Sequence, residues 1–193
     1  MSRIGRWVRV SGVVVAAGFL FAGVAPAQDK AAPAKTAHKY IGADKCKACH
    51  MSEAKGNQYG SWMKSAHAKA YETLAGEKAL AYAKEKAMAK PPQETAECLA
   101  CHVTGHGKAA DLFEATFKKE QGVSCESCHG PGSDYKDMKI MKDRAAAVAA
   151  GLVVPDEKTC TGCHNDKSPT FKGFVYKDML AKVAHPNPAK AAK

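Results

Sequence analysis

Beyond residue 27 the sequence has no apolar run approaching the roughly 20 residues that a bilayer-spanning helix needs. It also has no useful stretch of strict apolar-polar alternation. The first absence excludes an integral membrane segment after that point, and the second leaves few strands or none. There is no Ser-His-Asp arrangement and no glycine-rich phosphate loop, and acidic pairs such as Asp156-Glu157 read as solvated loop charge. No basic stripe is interleaved with aromatics, so the formal charge of +10 does not point to nucleic acid.

The first 27 residues read as a secretory signal. Arg3, Arg6 and Arg9 precede an apolar run from Gly12 to Val24, and Ala25-Pro26-Ala27 supplies a small-x-small cleavage site. That run is too short for a membrane anchor, and no cysteine lies near residue 28 to take a lipid. Cleavage after Ala27 is expected, placing the protein in the periplasm or outside the cell. Residues 28–39, rich in Ala, Lys and Pro, read as a flexible leader to a domain spanning 40–193.

All eight cysteines fall into four copies of one pattern, each CxxCH: Cys46, Cys49 and His50; Cys98, Cys101 and His102; Cys125, Cys128 and His129; Cys160, Cys163 and His164. On a helical turn, residues i, i+3 and i+4 project from one face, so two thiols reach the vinyl groups of one haem while the histidine meets its iron. A disulfide framework, zinc binding and thiol exchange all use paired cysteines, but none requires histidine directly after every second one. Four covalent c-type haems are therefore expected. Signal removal takes the formal charge to about +7. Four ferric haems, each about −1 with its propionates, bring it to about +3.

The expected fold is mainly α, with few or no strands, long loops, and haems forming much of the core. Helices are predicted over 62–75, with Ser61 as N-cap and Gly76 as stop, and over 77–90, ending at Pro91-Pro92. Shorter ones are predicted over 143–150, ending at Gly151, and over 174–184, stopped by Pro186 and Pro188. Gly130-Pro131-Gly132 forces a turn directly beyond His129. About 40 residues per haem is too little chain for a conventional core plus four pockets, so the haem-free chain is expected to be largely unfolded.

Four histidines remain outside the motifs: His38, His67, His106 and His185. Their number matches the four irons. His67 lies among small alanines that admit a flat porphyrin, and His185 is held rigidly before Pro186. His38 sits in the leader and His106 four residues after His102. Met51, Met63, Met88, Met138, Met141 and Met179 are alternative donors, but none has a better local case than the histidines, and they read mainly as packing residues.

The phrases YIGADKCKACH, SWMKSAHAKA, ECLACHVTG, GVSCESCHGPGS and KDML…AH resemble the cytochrome c554 family of tetrahaem cytochromes, from about Tyr40 to His185. The resemblance implies a mostly helical fold, closely packed haem pairs and electron transfer. It also implies distal histidines at His67 and His185 for the third and fourth haems, in an order the sequence leaves open. Two departures stand out. In the family pattern the first haem's distal histidine follows CHGPG, but here SDYKDMKIMK offers Tyr135 and Met138 and no histidine, which makes His38 the replacement candidate. The family's second haem lacks a distal ligand, whereas His106 occupies that neighbourhood here.

The function expected is electron transfer between redox proteins, without catalysis. Two rivals are a reductase of a small nitrogen or oxygen species at an open five-coordinate haem, and a subunit of an extracellular haem filament. Fully low-spin ferric haem would remove the first rival, and a monodisperse monomer with four six-coordinate haems the second.

Overall fold

The computed structural model describes residues 37–185 and Pro188, so the expected signal and leader residues 28–36 lie outside the described residues. Ten α-helical segments follow one another: α1 (Asp44–His50), α2 (Gln58–Met63), α3 (Ala70–Thr73), α4 (Glu77–Glu85), α5 (Ala96–His102), α6 (Cys125–His129), α7 (Met138–Met141), α8 (Arg144–Ala149), α9 (Glu157–Thr161) and α10 (Tyr176–Val183). The mainly α expectation holds. Among the described residues the only β pairing is an isolated parallel bridge between Tyr40 and Phe113, and no helix is long and apolar enough to cross a membrane.

Local chemistry explains where these helices begin and end. Asp143 caps α8 by accepting from the Ala145 and Ala146 N–H groups, and Gly151 beyond it takes a left-handed φ of +99°, so this helix lies close to its predicted span. The predicted helix over 62–75 is instead broken into α2 and α3. Asn57 caps α2 earlier than Ser61 could, accepting from Gly60 N–H. The Ser65 hydroxyl then donates to the Trp62 carbonyl at 2.7 Å, competing with the helical ladder. The His67 carbonyl accepts from Val123 N–H at 3.0 Å, a tertiary bond that draws the chain out of the helix. Helix α4 stops at Glu85, short of the predicted Lys90, because Ala87 turns left-handed at φ 48° and Met88 N–H returns to the Ala83 carbonyl at 2.9 Å.

The apolar core is small. Among the described residues its buried members are Ile41, Ala43, Tyr59, Ala70, Leu74, Ala83, Pro92, Val103, Tyr135 and Ala147, four of them alanines. Much of the long-range order comes from buried polar groups. The Glu126 carboxylate, 2% exposed, accepts from Ile41 N–H (2.9 and 3.1 Å), Gly42 N–H (2.8 Å) and Gly132 N–H (2.7 Å). It thereby clamps the segment entering α1 to the turn leaving α6. Burial pushes its carboxyl above the ordinary value, while these N–H donors pull it down.

Both Glu126 oxygens accept, so a glutamine there would set its NH2 against a backbone donor. Glu126→Gln is expected to lower the unfolding free energy of the purified protein by about 1–3 kcal/mol. Chemical denaturation checks this, and an unchanged midpoint would show that the clamp contributes nothing.

Candidate haem-binding sites

The four CxxCH motifs sit on α1, α5, α6 and the end of α9, on the helical turns that their spacing requires. Helix α9 ends at Thr161, but His164 N–H still bonds the Cys160 carbonyl at 2.9 Å, so the fourth motif keeps its helical turn. No disulfide joins any of the eight cysteines. Among the described residues no three or more His, Cys, Asp and Glu side chains converge as a zinc site needs.

Three motif histidines have their orientation set by an oxygen that can only accept. His50 Nδ1 lies 3.2 Å from Gln58 Oε1, His102 Nδ1 lies 2.7 Å from the Ala70 carbonyl, and His129 Nδ1 lies 3.2 Å from the Val153 carbonyl. Each Nδ1 is therefore the N–H donor, leaving the Nε2 lone pair for a metal. The Gln58 amide is turned the right way because its NH2 group donates to the Lys55 carbonyl. His164 is held differently, by stacking on Phe174 at 5.2 Å between ring centres and 20° between planes.

Two histidines far away in sequence face motif histidines. The ring centres of His67 and His164 are 5.9 Å apart, and those of His185 and His129 are 6.0 Å apart. Two imidazoles bound to one metal ion through nitrogen–metal bonds of about 2 Å stand with their centres about 6 Å apart. Both pairs therefore fit an iron between them, His67 opposite the fourth motif and His185 opposite the third. Burial lowers the pKa of His67, His129 and His185, with the facing imidazole adding to the effect at His67 and His185. This favours the neutral form that ligates metal.

His38 and His106 are placed otherwise. His38 Nδ1 pairs with Asp134 Oδ2 at 2.7 Å, and its ring lies on the backbone of Gly151, where an added Cβ would meet Nε2 at 3.0 Å. His106 is exposed at the rim of a cavity of about 370 Å³ lined by Leu99, Val103, Phe113 and Phe117 beside the second motif. Among the described residues neither forms a ring pair with a motif histidine like those at the third and fourth motifs.

The thiols also show how the motifs are arranged. Cys46 and Cys125 lie close enough to shift each other's thiol, as do Cys101 and Cys163, and Cys128 lies within the electrostatic reach of Cys160. Burial and the neighbouring Cys101 push the Cys163 thiol up to about 12. The motifs thus run first, third, fourth, second in space, with first against third and fourth against second. Beneath them the buried Thr104 hydroxyl lies 2.9 Å from the Gly122 carbonyl, accepts from Ser124 N–H at 2.8 Å, and meets the Ser124 and Ser127 hydroxyls at 3.0 and 2.7 Å. Gly122 is confined to glycine: its φ is +63°, and a Cβ would meet the His67 carbonyl at 2.8 Å.

Sequence reasoning missed Glu126, Gln58, the Ala70 and Val153 carbonyls and the spatial order of the motifs. Only Glu126 left a trace, as an acidic residue between the two cysteines of a motif.

Residues 45–130, which hold the first three motifs, match the family described as cytochrome c554 and c-prime. Cytochrome c-554 of Nitrosomonas europaea is 32% identical over 151 residues, a match covering 69% of this chain and 61% of that relative's length. The solved reduced state of cytochrome c554 from Nitrosomonas europaea is 27% identical, over 81% of this chain and 82% of that one, at a TM-score of 0.48. Through residues 45–130 and this sequence identity, the chain is similar to the cytochrome c554 and c-prime family.

Proposed function

We propose that residues 40–193 form a tetrahaem electron-transfer domain working in the periplasm or outside the cell. The eight motif cysteines hold four haems c by thioether bonds, and His50, His102, His129 and His164 bind the irons. His67 completes the fourth haem and His185 the third. The observation that carries this reading is the spacing of the two imidazole pairs, 5.9 and 6.0 Å. His38 and His106 are the histidines left for the first and second haems, and each would have to rearrange to face its motif histidine.

Bound haem supplies a one-electron iron couple. The protein's part is to orient and insulate it. Carbonyl acceptors on Nδ1–H pin the His102 and His129 rings and fix the tautomer that leaves Nε2 for a metal. Paired imidazoles occupy both faces of an iron and leave no place for substrate, which suits electron exchange with other redox proteins. The thiol contacts support passage along the series first, third, fourth, second.

A second reading, reduction of a small nitrogen or oxygen species, is favoured by one observation: the cavity beside the second motif, whose His102 has no imidazole facing it among the described residues. Both readings are tested on holoprotein from a host that matures c-type cytochromes. Mass spectrometry is expected to show four haems, and the reduced protein to be reoxidised by a soluble redox protein without turning over nitrogen oxides. A colourless product at the polypeptide mass would end the haem reading, and steady turnover of a nitrogen or oxygen species would make the protein an enzyme.

A further inference from the structure

The helix that carries the second motif also walls the cavity of about 370 Å³. Leu99, between the motif's two cysteines, and Val103, four residues on, share the side of α5 that lines it. Cys98, Cys101 and His102 do not line it, so the cavity stands beside the thiols rather than over them.

The facing wall is aromatic and held in place. Phe113 stacks on Tyr40 with ring centres 5.1 Å apart and meets Phe117 at 4.6 Å. Tyr40 N–H donates to the Leu112 carbonyl at 2.8 Å and Glu114 N–H to the Tyr40 carbonyl at 2.9 Å, which fixes the cluster. Gly105 lets the loop after α5 close against it: its φ is +69°, and a Cβ would meet the Phe113 ring at 3.0 Å. The floor is therefore apolar and formed in advance.

The mouth is cationic. Lys108 and Lys119 stand exposed there, and no Asp or Glu lines the cavity. Among the described residues neither lysine makes an ion pair. Lys119 lies over the Tyr71 ring at 5.4 Å, whereas its neighbour Lys118 is neutralised by Asp44 at 2.9 Å.

Resting on the electron-transfer reading above, we propose that this cavity is the docking point of an acidic redox protein. The partner seats an apolar side chain on the floor and sets its carboxylates against Lys108 and Lys119. Those carboxylates supply the counter-charge that the mouth lacks, and a preformed floor costs little ordering on binding. With a formal holoprotein charge of only about +3, the partner's orientation depends on where cations stand unneutralised. The position suits electron exchange, because the second motif ends the series and Leu99 lies inside that motif.

The test uses ferric holoprotein and, as probe, the hydroquinone of an acidic flavodoxin, which passes one electron to a ferric haem and becomes the semiquinone. Stopped-flow spectroscopy is expected to show a second-order rate constant that falls as salt rises. Lys108→Glu and Lys119→Glu together should lower it about tenfold at low salt, and Ala110→Asp, at the exposed wall, should lower it too. Lys139→Glu, on α7 beside the first motif at the other end of the series, should change it by less than about twofold. Reduction by the small neutral flavin lumiflavin should be the same in every variant, which separates docking from a change in the haems or the fold. The proposal is overturned by a rate that the double variant leaves unchanged, by an equal loss in Lys139→Glu, or by a loss that lumiflavin shares. Self-association of the wild type that the double variant abolishes would overturn it as well, by making the occupant a second copy of this chain. A product without haem would instead overturn the tetrahaem reading, and mass spectrometry tells the two failures apart.

Discussion

In ferric holoprotein carrying His67→Ala, the haem on Cys160 and Cys163 is expected to turn from low to high spin and, once reduced, to bind carbon monoxide. His185→Ala should do the same to the haem on Cys125 and Cys128. The assignment follows from the ring pairs, His67 with His164 at 5.9 Å and His185 with His129 at 6.0 Å. His164 should keep its place when His67 is removed, because Phe174 stacks on it, and the change is then confined to the distal face. Axial ligands set haem potentials over a range of about 0.8 V, so each variant should shift one potential by on the order of 0.1 V and leave the other three nearly in place. Electron-paramagnetic resonance with a redox titration reads both effects. A His67→Ala protein whose fourth haem stays low spin, or whose third haem responds instead, would break the pairing.

That pairing shows where reading the sequence stops. The cysteine motifs were legible because thioether chemistry demands two thiols and a histidine on one helical turn, a local requirement written in adjacent residues. The helix at 144–149 was legible for a similar reason, with its cap at Asp143 and its stop at Gly151. The predicted helix over 62–75 failed because what breaks it is distant: the His67 carbonyl bonds to Val123 N–H, 56 positions on. The same bond helps seat His67, so the error in secondary structure and the placing of a distal candidate have one cause. The order of motifs in space was hidden too, because it depends on thiol contacts and on a Glu126 carboxylate whose three donor residues lie up to 85 positions away.

The chain expressed without haem is expected to lose most of its helical circular dichroism and to be digested by protease under conditions that leave holoprotein intact. Only six buried apolar side chains larger than alanine, Ile41, Tyr59, Leu74, Pro92, Val103 and Tyr135, form the described apolar core. Meanwhile Met63, Val153, Val154, Val175 and Val183 are each more than two-fifths exposed. The ten described α-helices, none longer than nine residues, are too short to persist in water without a surface to pack on. On the tetrahaem reading, the flat faces of four porphyrins would be that surface, much as a small metal domain is held by its metal.

The four motifs should not count equally. The third is the junction: its Cys125 meets Cys46, its Cys128 lies near Cys160, its Glu126 holds the segment before α1, and its Ser127 closes on Thr104 below the second motif. Replacing Cys125 and Cys128 together by serine should therefore unfold the remaining chain furthest. The same change at Cys98 and Cys101, at the end of the series, should leave the first and third haems native in their spectra. Equal damage from the two double variants, or a haem-free chain that keeps a cooperative thermal transition, would mean that the polypeptide orders itself without its porphyrins.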